Sequence, residues 1–176
     1  MSLGDWEPKL GIVTFYLGDT ATARQILHDN LQRWLDKTNF FLARTYGYLA
    51  EIALSEGDLT QAGQAQAQWI RYQSKVRWLS TEVVDCLWVA ARLAVVQQQY
   101  EQAATLFGLA EQVRRRVHYP GNGVMRPHID DALATVQAAL EPAVYAAAFV
   151  AGQQMTLEEV VAAKTVRFVA GQLVGA

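Results

Sequence analysis

Gly57-Asp58-Leu59-Thr60-Gln61-Ala62 reads as the turn of a helical hairpin, and two other stretches repeat it: Gly18-Asp19-Thr20-Ala21-Thr22-Ala23 and Gln98-Gln99-Tyr100-Glu101-Gln102-Ala103. The three recur at offsets of 39 and 41 residues. Each lies between two stretches whose apolar residues follow helical spacing, so the repeating unit is a pair of helices. Gly18 and Gly57 stand where a helix ends and the backbone needs positive φ. Asp19 and Asp58 follow as N-caps of the next helix, and Gln61 completes a box with Asp58. Ala23, Ala62 and Ala103 are small enough for two helices to approach closely.

Working outward, the pattern predicts helices over roughly 7–17, 20–37, 41–56, 59–76, 81–97 and 100–116, with ends uncertain by about two to four residues. No period-two alternation competes with them, and helix formers dominate. The aromatic residues Phe15, Trp34, Phe41, Tyr48, Trp69, Trp88 and Phe107 fall on these helices and read as packing between hairpins. Tyr119-Pro120-Gly121-Asn122-Gly123 is a loop. Beyond it Pro127 opens a helix in its first turn, Leu140-Glu141-Pro142 ends that helix and opens another, and Gly152 closes the second. Thr156-Leu157-Glu158-Glu159 is a capping box for a last helix carrying Val160, Val161 and Phe168. The expected architecture is all-α: three hairpins over residues 4–117, then a three-helix tail over 124–176 that packs on the last hairpin.

Composition bounds the function. Hydrophobic residues make up 52% of the 176 and charged residues 18%, enough apolar matter for a core without disulfides or metals. The formal net charge of −2 leaves no basic excess to neutralise a phosphate backbone, so no direct nucleic-acid partner is expected. The lone Cys86 forms no internal disulfide, which fits a reducing, cytoplasmic setting. The longest strongly apolar run, Ala143 to Ala151, is half the roughly 18 residues that a membrane span needs. Met1-Ser2-Leu3 has the character of a cloning scar, and no N-cap opens the first helix, as expected for a piece of a longer protein.

The hairpins resemble tetratricopeptide repeats. Leu10-Gly11 stands for the Leu-Gly pair of the first helix, and Ala103, Phe107 and Ala110 match the small–large–small spacing of the second. The first hairpin keeps Ala23 and Leu27 but has Asn30 in the last place; the second has Ala62 followed by Gln66 and Trp69. The repeat is longer than the family's usual 34 or so residues. The tail resembles the C-terminal arm of bacterial STAND-class regulators, which join a nucleotide-binding core to helical repeats. Asp130-Asp131-Ala132-Leu133, Ala139-Leu140-Glu141 and Phe149 through Val160 carry that likeness, with Val160 where the family prefers alanine. It implies an upstream ATP-binding core and a sensor or arm role for this chain.

In repeat stacks the first helix of each hairpin lines a concave face. Carried over on the tetratricopeptide pattern, that face takes Arg44 and Glu51 from the second hairpin and Asp85, Trp88 and Arg92 from the third. A groove of mixed charge with an aromatic floor suits a peptide or helix from a partner protein, and a solvated face is the plainer alternative. The apolar Val166, Phe168, Val169, Leu173 and Val174 suit self-association or packing within the chain.

Catalytic signatures are missing. The chain has no Gly-x-x-x-x-Gly-Lys-Ser/Thr loop, no Cys-x-x-Cys and no His-Glu-x-x-His, so no cofactor or metal site is expected. His118 and His128 flank the loop without a carboxylate at ligand spacing. Cys86 sits mid-helix beside Leu87 and Trp88, where a buried thiol is the simpler reading than a nucleophile. Arg114-Arg115-Arg116 ends a helix, where positive charge is favoured. The expected function is non-catalytic protein binding in regulation, with a small-molecule sensor holding its ligand between hairpins and tail as the alternative.

Overall fold

The computed structural model describes residues 3–35, 39–73, 80–156 and 159. All regular structure among them is helical: α1 (Leu3–Tyr16), α2 (Thr20–Trp34), α3 (Asn39–Ser55), α4 (Leu59–Gln73), α5 (Thr81–Val96), α6 (Tyr100–Arg116), α7 (Arg126–Ala139) and α8 (Pro142–Gln154). They form two compact units, α1–α4 and α5–α8.

The repeated turn has a common hydrogen-bond pattern. At the first, Gly18 N–H donates to Phe15 O and Asp19 N–H to Thr14 O. Gly57 and Asp58 repeat it onto Leu54 and Ala53, and Gln98 and Gln99 onto Val95 and Ala94. A fourth instance, His118 onto Arg115 and Tyr119 onto Arg114, ends α6. This is the paired bonding that satisfies the last carbonyls of a helix and requires a left-handed residue between them. The φ values there are 95° at Gly18, 78° at Gly57, 60° at Gln98 and 52° at His118. Asp19 and Asp58 then accept from the backbone N–H of Thr22 and Gln61, as N-caps should. The Thr22 N–H bond holds the Asp19 carboxyl below its ordinary pKa.

The turns therefore differ in strain, with a testable consequence. A Cβ at residue 57 would meet nothing within 4 Å, so Gly57→Ala costs only the left-handed backbone, about 1 kcal/mol. Gln98→Gly relieves the same strain and is expected to gain about 0.5 kcal/mol or slightly more. Chemical denaturation of both variants checks the opposite signs.

In the first unit α1 and α2 form one hairpin, α3 and α4 the next, and α3 packs on both helices of the first. Ile12, Ala23, Leu27, Tyr48, Leu49 and Ile52 make its core. Gly11 faces Leu27: a Cβ there would lie 2.8 Å from the Leu27 Cδ2. Asn30, the departure from the small-residue pattern, is 1% exposed and bonded on both sides. Its amide donates to Glu7 at 3.1 Å, and its oxygen accepts from the Thr45 hydroxyl at 2.7 Å, joining α1, α2 and α3. Arg33 also pairs with Glu7. Buried polar groups matched in this way define one arrangement of the helices.

In the second unit α5 is apolar nearly all round and is buried from Glu82 to Ala91. It pairs with α6, and α7 and α8 pack on that hairpin. The α6–α8 contact is backbone on backbone. A Cβ at Gly108 would lie 2.0 Å from the Phe149 carbonyl oxygen, and one at Gly152 would lie 1.9 Å from that of Thr105. Two glycines thus face each other's helices, a geometry that only residues without side chains permit.

Several boundaries differ from the sequence expectation. Helix α1 starts at Leu3, and Pro8 lies inside it rather than in its first turn. Gly152 does not close α8, which runs on to Gln154; its missing side chain serves the crossing instead. Thr156 and Glu159 do form the expected box: Glu159 N–H donates to the Thr156 hydroxyl oxygen, and Thr156 N–H to the Glu159 carboxylate. The latter bond lowers the Glu159 pKa. The predicted last helix from Val160, the tail residues Val166, Phe168, Val169, Leu173 and Val174, the expected ends of the second and fourth helices, and the Phe41 side chain lie outside the described residues.

Candidate functional site

Each unit carries a cleft with grouped polar residues over an apolar floor. In the first unit the cleft, about 560 Å³, runs between α2 and α4. Arg24 and His28 form one rail, a turn apart on α2; Gln61, Gln64 and Gln68 form the other on α4. Leu31, Tyr46, Leu49 and Ala65 make the floor. Arg24 pairs with Glu56 and also donates to Gln61 at 3.4 Å, so one end is tied by charge and the remainder is amide and imidazole. Tyr46 stacks on Tyr72 with ring centroids 5.6 Å apart, and Arg71 lies over the Tyr72 ring. Burial, with Tyr72 adding to it, pushes the Tyr46 phenol up, so it presents a neutral hydroxyl.

In the second unit a cleft of about 360 Å³ opens between the α5–α6 hairpin and the α7 and α8 helices. Trp88, Phe107, Ile129, Leu133 and Phe149 line it. Glu111, Arg114, Arg115 and Arg126 also border it. Glu111 accepts from Arg114 Nε at 2.7 Å and from Arg115 Nε at 2.7 Å. Arg114 also donates to the Tyr119 carbonyl at 3.0 Å, closing the turn after α6. Its hydrogen bond to Glu111 lowers the glutamate's pKa, and Arg115 adds to the effect.

No protein-family model, curated protein or solved structure matches the chain.

Of the five residues expected on a concave face, four are buried: Arg44 at 5% exposure, Glu51 at 0%, Asp85 at 5% and Trp88 at 6%. Arg92 is half-buried. The carboxylates have internal partners: Tyr16 Oη donates to Glu51 at 2.9 Å, joining α1 to α3, and Tyr119 Oη donates to Asp85 at 3.1 Å. As placed, these groups hold helices together. Trp88 enters the smaller cleft as part of its floor and stacks on Tyr119. Cys86 is 1% exposed in mid-α5, and His118 and His128 are exposed. Among the described residues no group of three or more His, Cys, Asp or Glu is placed to hold a metal ion, and no helix is long and apolar enough to cross a membrane.

The residues that sequence reasoning missed are the Gln61, Gln64, Gln68 rail and the Arg115–Arg126 border. A signal for the first existed: three glutamines at i, i+3 and i+7 on one helix face.

Proposed function

We propose that the chain is a non-catalytic interaction module that holds an extended protein segment in the α2–α4 cleft. It would serve as the tetratricopeptide-like regulatory arm of a larger signalling ATPase or transcriptional regulator. The observation that carries the reading is the pairing of an amide rail with an apolar floor. Each glutamine amide has both a donor and an acceptor, so Gln61, Gln64 and Gln68 match the alternating N–H and C=O groups of an extended backbone. Tyr46 and Leu49 offer the floor against which an apolar side chain loses its water. The likeness of the hairpins to tetratricopeptide repeats and of the tail to STAND-class arms supports the regulatory role.

Selection of peptides from a displayed library against the chain tests this. Bound peptides are expected to lose about thirtyfold in affinity on Gln64→Ala with Gln68→Ala, two neutral hydrogen bonds of roughly 1 kcal/mol each. Both positions accept alanine within a helix. Peptides that bind the parent and the double variant alike would place recognition elsewhere and sink the reading.

A further inference from the structure

The smaller cleft has a different chemistry, and it is independent of the α2–α4 groove. Its floor is aromatic, from Trp88, Phe107 and Phe149, and its border carries three arginines against one glutamate. Glu111 is shared by Arg114 and Arg115 and offsets one positive charge, and Asp130 offsets that of Arg126, which leaves the border with a positive excess. Arg115 engages Glu111 through Nε, and Arg126 engages Asp130 through Nε at 3.0 Å. Both side chains are largely exposed, at 67% and 62%, with terminal guanidinium nitrogens left to face an incoming group. A planar guanidinium with free terminal donors suits a carboxylate. An aromatic floor inside the arginine border suits an apolar body, and about 360 Å³ lies at the small end of ligand-site volumes.

We propose that this cleft binds a small apolar carboxylate, its anion between Arg115 and Arg126 and its body on Trp88, Phe107 and Phe149. The ligand would touch four helices: Trp88 belongs to α5, Arg115 to α6, Arg126 to α7 and Phe149 to α8. Occupancy therefore ties the tail helices to the hairpin, which is the property an effector site needs.

Octanoate is the probe, titrated into the full chain by calorimetry, with octanol and octylammonium as the neutral and cationic controls. Two-dimensional NMR of the tryptophan side chains locates the contact. Expected are saturable binding of octanoate at one site, a shift of the Trp88 indole signal, and about tenfold weaker binding of octanol. The Arg115→Gln/Arg126→Gln double variant changes only exposed side chains; its helicity is checked by circular dichroism. It is expected to bind octanoate about tenfold more weakly, and added salt should weaken the parent in the same direction. Absence of saturable binding, equal affinity for octanol, a signal that leaves Trp88 unmoved, or an unaffected double variant would each overturn the proposal. None of these results bears on peptide capture by the glutamine rail, whose variants lie in the other unit.

Discussion

Gly152→Ala is expected to release α8 from α6 and to lower the melting temperature of the second unit by roughly 5 °C or more. The added methyl would lie 1.9 Å from the Thr105 carbonyl oxygen, 2.8 Å from its carbon and 3.0 Å from the Leu109 nitrogen. These are atoms of a helix backbone and cannot swing aside as a side-chain end can. Alanine is intrinsically the better helix former, by about 1 kcal/mol. Overpacking against fixed backbone costs about 3 kcal/mol or more, so the clash decides the sign. Gly108→Ala should behave alike, since its methyl would lie 2.0 Å from the Phe149 oxygen. The double variant should lose less than the sum, because the first clash already removes the contact that the second would disturb. Gly123→Ala is the control: nothing lies within 4 Å of its Cβ position. Thermal melts followed by far-ultraviolet circular dichroism decide the matter, and a Gly152→Ala protein that melts with its parent would refute the close crossing.

The second large effect is expected at Tyr119. Its hydroxyl donates to the buried Asp85 at 3.1 Å, and its ring stacks on Trp88 with centroids 6.1 Å apart. Tyr119→Phe keeps the ring and removes the donor, so Asp85 loses a charge-assisted hydrogen bond. The expected cost at neutral pH is about 2 kcal/mol. The pH dependence gives an independent check. Burial, with the Asp85 charge adding to it, pushes the Tyr119 phenol well above its ordinary range. A raised folded pKa favours the protonated form in the native state. That stability is complete below the unfolded value of about 10 and is lost as pH rises towards the folded one. The parent should therefore weaken above about pH 10 by a component that the phenylalanine variant lacks, and the gap between them should narrow. Urea titrations of both proteins at neutral pH and at about pH 10.5 measure it. A gap of constant size would show that the hydroxyl does not titrate against Asp85.

The chain punctuates its helices openly. Gly18 and Gly57 mark the left-handed turns, Asp19 and Asp58 the caps, Pro127 and Pro142 the starts of α7 and α8, and Thr156 with Glu159 the final box. All of these are local: cause and effect lie within six residues. What stayed hidden depends on partners distant in sequence. Glu51 and Asp85 read as charges looking outward because their donors, Tyr16 and Tyr119, are 35 and 34 residues away. The two clefts are hidden for the same reason, each being assembled from at least three helices. Gly152 reads as a helix end in the sequence because glycine near an apolar stretch fits a helix end as well as a crossing. Only the position of Thr105 on another helix separates the two.

The glycine crossing also bears on the uniqueness of the native state. Helix α8 reads Pro-Ala-Val-Tyr-Ala-Ala-Ala-Phe-Val-Ala-Gly-Gln-Gln, with apolar residues on every side; Val144 and Val150 are 38% and 47% exposed while Gly152 is its one buried position. Hydrophobicity alone gives such a helix little reason to present one face inward rather than another. The glycine supplies the missing choice. Rotating α8 by one residue, or sliding it by one 1.5 Å step, would bring Ala151 or Gln153 against the Thr105 backbone, where a Cβ does not fit. Exclusion of the wrong alignments, more than attraction in the right one, fixes how α8 is seated.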